Sequence, residues 1–124
     1  LFVSVTDADK EEALPLVRRF YNLGFNIEAT AGTAKFLKEH GIRTRVKKKI
    51  SEGATDILDS IRKGYVNYVI STRDVDSLSQ QSDGYMIRRC VVENNVTMFS
   101  VLDTVRVLLD VLEEITITIS TIDA

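Results

Sequence analysis

Short apolar runs alternate along this chain with segments whose apolar residues recur every three or four positions. Short runs rich in β-branched residues are typical of buried strands, and the longer spacing is typical of amphipathic helices. The alternation predicts an α/β domain with three layers, in which helices flank a parallel sheet. The predicted strands span 1–5, 25–29, 42–46, 68–72 and 96–99. The predicted helices span 7–23, 34–40, 55–63, 83–94 and 101–114.

Three local features refine this pattern. Pro15 lacks an amide hydrogen, so we expect an irregular first turn and place Pro15 near the start of the regular first helix. Gly24 is expected to end that helix in a left-handed conformation. The segment 115–122 alternates isoleucine with serine or threonine, which predicts an amphipathic strand or an extended connector. We therefore expect a domain over 1–114 and a C-terminal strand or tail over 115–124.

The composition is that of one folded domain that needs no covalent cross-links. The chain has 124 residues, of which 44% are hydrophobic and 27% charged, as in globular proteins. A net charge of −2 argues against generic binding to nucleic acid, which needs a broadly basic face. The single cysteine, Cys90, excludes an internal disulfide and fits a reducing, cytoplasmic location. The start of the chain within a strand pattern, without methionine, favours a domain taken from a longer polypeptide.

Small, hydroxyl and basic residues follow the predicted strands. Ligands of open α/β sheets bind at the carboxyl ends of the strands, so these residues are expected to meet at one edge. Amides at a helix N-terminus, hydroxyls and ammonium groups are the donors that hold a phosphate. The pattern therefore predicts an anion site. Its candidate residues are Lys10, Thr30, Gly32, Thr33, Lys47, Lys48, Lys49, Ser71, Thr72 and Arg73.

Each candidate also has an ordinary structural explanation. The threonines before the second helix could cap it, and the lysines could be solvated surface residues. Arg73 could pair with Asp74 or Asp76. The coincidence of all these residues at one edge of the sheet favours the anion site over the separate explanations.

Constellations typical of enzymes are weak. His40 is the only histidine, which excludes a metal site built on several histidines. Cys90 lies between apolar residues of a predicted helix and is interpreted as a packed side chain rather than a nucleophile. Asp7 and Asp9 stand where carboxylates normally cap a helix or face its dipole. We therefore expect no catalytic residues and no metal in this domain.

Six short stretches carry a resemblance to a known family: 7–10, 23–25, 29–34, 49, 52–53 and 83–89. They read Asp-Ala-Asp-Lys, Leu-Gly-Phe, Ala-Thr-Ala-Gly-Thr-Ala, Lys, Glu-Gly and Asp-Gly-Tyr-Met-Ile-Arg-Arg. In order and spacing they resemble the methylglyoxal-synthase-like superfamily. Within it, the chain is most similar to the C-terminal allosteric domain of the large chain of carbamoyl phosphate synthase. The resemblance extends from residue 1 to about residue 112.

The resemblance implies a five-stranded parallel sheet in the order 3-2-1-4-5 and an effector that is a nucleotide monophosphate such as UMP or IMP. By position, it implies that the effector is held by Lys10, Thr30, Gly32, Thr33 and Lys49. It also implies that Ser100 contacts an ornithine effector. The parent enzyme would be a glutamine-hydrolysing ligase that uses ATP with Mg or Mn. Its further partners would be the other domains of the large chain and a glutaminase small chain.

Two departures from the family keep alternatives open. Ser71, Thr72 and Arg73 stand where the family has Asn-Thr-Thr, and the loop that follows them is longer than in the family. These departures favour a parent dedicated to arginine rather than pyrimidine synthesis, and Ser71 and Arg73 also favour a docking module whose effector site has decayed. The enzyme of the superfamily, methylglyoxal synthase, is the other alternative. That enzyme has a histidine where this chain has Thr6, and a Gly-Gly-Asp segment that the stretch 74–82 lacks.

Overall fold

The computed structural model describes residues 1–48, 56–72 and 83–123, and it describes side chains for 1–48, 56–72 and 86–116. Its sheet has five parallel strands in the order β3-β2-β1-β4-β5. The expected α/β architecture and the strand order are thereby confirmed. The strands are β1 (Phe2–Ser4), β2 (Ile27–Thr30), β3 (Thr44–Lys47), β4 (Tyr68–Ser71) and β5 (Thr97–Phe99).

Five helices connect and follow these strands. They are α1 (Lys10–Asn22), α2 (Ala31–Glu39), α3 (Asp56–Arg62), α4 (Asp83–Glu93) and α5 (Leu102–Asp123). A 3-10 turn, Asp7–Asp9, precedes α1. It corresponds to the irregular first turn that we expected from the position of Pro15. The end of α1 is as expected, because Gly24 follows the C-cap residue with a φ of 98°. No helix among the described residues is long and apolar enough to cross a membrane.

The core has one layer on each face of the sheet. On one face, Val3 and Ala29 pack with α1, α2 and α5. On the other face, Phe2 and Val69 pack with α3 and α4. Since neighbouring residues of a strand point to opposite faces, the central strand β1 contributes to both layers. This arrangement leaves the carboxyl ends of the strands as the edge at which loops and helix N-termini meet.

The first turns of two helices differ from the prediction. Pro15 is the sixth residue of α1 rather than an early one. Its ring is exposed, and it cannot donate the hydrogen bond that an amide would make there. Helix α2 begins at Ala31 instead of residue 34, so the expected turn before it is the first turn of the helix itself.

The segment 115–122 was expected to be a strand or connector, and this prediction is wrong. The structure continues α5 to Asp123. The helix is anchored on α1 by Arg19, whose guanidinium contacts the Asp110 carboxylate at 2.8 Å and that of Glu113 at 2.5 Å. Extending an anchored helix fixes fewer torsions per hydrogen bond than starting one, and this outweighs the weak helix propensity of isoleucine and threonine.

Candidate functional site

The candidate site is built around the N-terminus of α2. The 3-10 turn after β1 places Lys10 at the start of α1, and its ammonium nitrogen lies 3.8 Å from the position that a Cβ would take at Gly32. The same nitrogen lies 2.6 Å from the Asp7 carboxylate, and the Lys10 side chain is 19% exposed. The structure therefore brings a largely buried cation to the first turn of a helix, where amide hydrogens also attract anions.

Neither threonine of this turn caps the helix. Thr30 occupies the N-cap position with an extended backbone, but its hydroxyl makes no capping hydrogen bond. The Thr30 Oγ1 is buried and has no hydrogen-bond partner among the described residues. The Thr33 hydroxyl instead accepts a hydrogen bond from the Val5 amide at 3.4 Å. A buried hydroxyl without a partner is unfavourable, so Thr30 is a candidate donor to a bound group.

Thr72 joins the site from the other side of β1. Its hydroxyl accepts a hydrogen bond from the Thr6 amide at 3.2 Å, and its own amide donates to the Ser4 carbonyl at 3.1 Å. The successive amides of Val5 and Thr6 are thus bound to hydroxyls from α2 and from the end of β4. We call this group the anion rim; it consists of Lys10, Thr30, Gly32, Thr33 and Thr72.

A row of polar residues, which includes Thr30 of the rim, crosses the sheet at the carboxyl ends of its strands. Ser4 is in register with Ser71, and Thr30 with Lys47. The register of β1 with β2 places Ser4 beside Thr30. All three hydroxyl residues are buried. The structure therefore places Ser71 next to the anion rim.

Glu28 is a buried site residue that the sequence analysis did not identify. It is 7% exposed, and its Oε1 lies 3.7 Å from the ammonium nitrogen of Lys47. Its Oε2 has no hydrogen-bond partner among the described residues. The available signal was the alternation within β2, in which Glu28 and Thr30 share one face of an otherwise apolar strand.

One predicted residue, Ser100, is not brought into this arrangement. It is exposed after β5, two strands away from β1. Lys49 and Arg73 lie outside the described residues, as do the matching stretch 52–53 and the polar stretch 73–82. Their roles remain predictions.

The other chemically reactive side chains have structural partners. Asp9 accepts a hydrogen bond from the Thr6 hydroxyl at 2.7 Å. The Nδ1 of His40 lies 2.8 Å from the Phe36 carbonyl at the end of α2. Cys90 is buried against α3, and burial raises the pKa of its thiol above the usual value, which disfavours the nucleophilic thiolate. Within 1–48, 56–72 and 83–123, no three His, Cys, Asp or Glu residues are grouped to hold a metal ion.

The chemistry of the anion rim suits the binding of one small oxyanion. Lysine offers a point charge, the α2 N-terminus offers amide donors, and the Thr30 hydroxyl offers a further donor. Phosphate accepts hydrogen bonds of all three kinds. Because Gly32 bears no side chain, the Lys10 ammonium stands directly beside the first turn of α2.

Comparison with known proteins gives results that agree with this geometry. A family model described as an MGS-like domain matches residues 12–100. Among solved structures, the chain is similar to a crystal structure of methylglyoxal synthase from Elizabethkingia anophelis NUHP1, with a TM-score of 0.68 and 22% sequence identity. The match covers 87% of this chain and 74% of that one. At this identity the structural likeness shows the fold.

Proposed function

The chain belongs to the MGS-like domain family, and on that premise we propose that it binds a phosphate monoester at the anion rim as a regulatory domain. The observation that carries the proposal is the pairing of Lys10 with the open first turn of α2 at Gly32. The unpartnered Thr30 hydroxyl beside them supports it. Within the family, we propose the allosteric domain of the carbamoyl phosphate synthase large chain, with a nucleotide monophosphate such as UMP or IMP as effector.

The phosphate would exchange one partner of Lys10 for another. In the structure, the Lys10 ammonium contacts Asp7, whose side chain is 89% exposed. Because the Asp7 side of the pair is exposed, water would solvate its carboxylate when the phosphate takes its place. A phosphate at the rim would gain a charge-assisted contact with Lys10. It would also gain hydrogen bonds from the amides of the α2 N-terminus. Together these contacts are stronger than the contact with Asp7 that they replace. The site is therefore ready to accept an anion without refolding.

The regulatory role concerns the parent enzyme rather than this domain alone. An effector regulates only if it binds two states of the enzyme with different affinities. We propose that the states are those of a large chain that uses ATP with Mg or Mn and works with a glutaminase small chain. Ornithine at Ser100 would be a second effector contact. The substitution of the family's Asn-Thr-Thr by Ser71, Thr72 and Arg73 supports a parent dedicated to arginine synthesis.

Calorimetric titration of the chain with UMP and IMP tests the proposal. Uridine and inosine are the matched controls, because they differ from the two ligands only by the phosphate. We expect heat with at least one nucleotide and none with its nucleoside. Absence of binding by both nucleotides at about 10 mM, which is weaker than any ordinary effector affinity, would contradict the effector site and favour the docking module.

Methylglyoxal synthase activity is the second candidate. It is favoured by the Asp7 carboxylate, which lies exposed at the rim 2.6 Å from the cation that would hold a substrate phosphate. A carboxylate in that position could act as a base toward a bound phosphate ester. Incubation with dihydroxyacetone phosphate and assay of methylglyoxal and released phosphate separates the two candidates. Activity above background that is lost in Asp7→Asn would favour the enzyme; its absence together with nucleotide binding would favour the regulatory domain.

A further inference from the structure

A cavity lies at the amino-terminal ends of β2 and β3, away from the anion rim. Its volume is about 450 Å³, which is in the range of small-molecule sites. The end of α1, the first residues of β2 and β3, and the segment between α3 and β4 form its walls. The lining side chains that matter for its chemistry are Tyr21, Glu28, Arg43, Arg45 and Tyr65.

Glu28 gives this cavity a buried acceptor without a donor. The residue is more than nine-tenths buried, and its Oε2 has no hydrogen-bond partner among the described residues. The ammonium nitrogen of Lys47 lies 3.7 Å from the other carboxylate oxygen, Oε1. The Leu1 ammonium donates its hydrogen bond to the Asn26 carbonyl and interacts with Glu28 only through its charge. An unmade hydrogen bond at a buried carboxylate is unfavourable. The free oxygen therefore points to a ligand that brings a donor.

Two arginines line the same cavity as Glu28. Arg43 and Arg45 are alternate residues at β3 and so share one face, and Arg45 is in register with Glu28. Both arginines are exposed. Of the ion pairs between described residues, none involves Arg43 or Arg45. Paired guanidinium groups favour a carboxylate or another planar or oxygen-rich anion.

We infer that this cavity is a second binding site, and that its ligand is a small zwitterion with an ammonium group and a carboxylate. The ammonium would donate to Glu28 Oε2, and the carboxylate would accept from Arg43 and Arg45. A simple anion would leave Glu28 without a donor, and a simple cation would be repelled by both arginines. The rings of Tyr21 and Tyr65 give apolar walls to the short carbon chain between the two groups.

The site is separate from the anion rim. Glu28 precedes Thr30 by two residues on β2, which places them roughly 7 Å apart along the strand. None of the rim residues lines the cavity. The inference goes beyond the proposed function and does not rest on it, so failure of nucleotide binding leaves this site as it stands.

Titration of the 124-residue chain with 4-aminobutyrate tests the inference. Butyrate and butylamine are matched probes that each lack one charged group. We expect 4-aminobutyrate to bind at least about tenfold more tightly than either, the ratio that one charged hydrogen bond provides. Equal binding of butyrate would indicate an anion site only and would overturn the inference. So would the absence of any binding by 4-aminobutyrate up to about 10 mM, the limit of weak affinity.

Variants assign the binding to this cavity. Arg45→Met should reduce the affinity for 4-aminobutyrate about tenfold, and Glu28→Gln should remove the preference over butyrate. Arg62→Met, an exposed arginine outside the cavity, is the control and should change nothing. Because Glu28 is buried, its variant is read only if circular dichroism shows the native fold. If the Glu28 variant does not fold, the variant of exposed Arg45 still tests the site. Unchanged affinity for 4-aminobutyrate in Arg45→Met would refute it.

Discussion

The ammonium nitrogen of Lys10 lies 3.8 Å from the point where a Cβ would stand at Gly32. The chain separates these residues by all of α1 and β2, and the parallel sheet brings them together at the carboxyl ends of β1 and β2. Gly32 has an ordinary helical place in α2, so its backbone does not demand glycine. The absence of a side chain lets a cation stand beside the amides of a helix N-terminus.

Replacing Gly32 by alanine is therefore expected to change binding and stability in opposite directions. A Cβ at 3.8 Å from Lys10 is an ordinary contact, so the fold tolerates it, and alanine in a helix is favoured over glycine by up to about 1 kcal/mol. The added methyl group occupies the approach to the rim. Urea denaturation of Gly32→Ala should show equal or higher stability, while calorimetry shows weaker nucleotide binding. Stronger or unchanged binding would place the phosphate elsewhere.

Removal of the Lys10 ammonium is expected to weaken nucleotide binding by roughly 1–3 kcal/mol, the value of a charge-assisted hydrogen bond. Lys10→Ala measures this by calorimetry with UMP or IMP. Lys38→Ala is the matched control, because Lys38 is exposed in the last turn of α2, at the opposite end of that helix from the rim. If both variants weaken nucleotide binding equally, Lys10 contributes only through the overall charge of the protein and not through a direct contact.

Lys49 is predicted from the sequence to hold the same phosphate. Lys49→Ala should weaken nucleotide binding by roughly 1–3 kcal/mol if that charge-assisted contact exists. Lys38→Ala, an exposed lysine outside the candidate site, is again the control. An effect of Lys49→Ala below about 0.3 kcal/mol, within the range of surface substitutions, would assign the contact to a neighbour.

The layers of this fold were predictable because they follow from local spacing. The alternation of strand and helix patterns predicts the α/β class, and glycine predicts the end of α1. The strand order depends on contacts between distant segments, and it came from the resemblance rather than from the pattern. The segment 115–122 shows the limit of such reasoning: its alternation fits a strand, but α5 is already anchored on α1 through Arg19.

The site was predictable only in part, for a similar reason. The sequence pattern predicts where each strand ends, and Lys10, Thr30 and Thr33 were identified because they follow predicted strands. Whether a hydroxyl caps a helix or bonds elsewhere depends on which segment lies opposite. Thr33 is bound by the Val5 amide from another strand, and the sequence does not show this. The partner of buried Glu28 is likewise a neighbour in the sheet, Lys47, which is 19 positions away by residue number.

Thr72 is expected to stabilise the rim through its hydroxyl. Thr72→Val keeps the shape of the side chain but leaves the Thr6 amide without its acceptor, which costs about 1–3 kcal/mol for a buried group. Thr72→Ser keeps the hydroxyl and is the control. Urea denaturation should show a lower midpoint for valine than for serine. If serine destabilises as much as valine, the methyl group and not the hydrogen bond is what matters.

Cys90 is expected to react slowly with alkylating reagents in the native protein. Its thiol is 3% exposed, and burial raises its pKa above the usual value, with Arg62 opposing that effect. The thiolate is the reactive form, so the pH profile of iodoacetamide alkylation should be displaced upward from that of a free cysteine. The raised pKa also makes the free energy of unfolding depend on pH. Above the ordinary thiol pKa, the unfolded chain loses a proton that the folded chain keeps, so stability falls as pH rises.

Mass spectrometry of the alkylated protein at several pH values measures the Cys90 profile, and the same chain in denaturant gives the reference. Cys90→Ala is the control for stability, since it removes the thiol and with it the part of the alkaline decline that Cys90 causes. A native alkylation rate equal to that in denaturant at neutral pH would contradict the structural role. It would require a thiol that is open to solvent, and it would return Cys90 to the group of candidate nucleophiles.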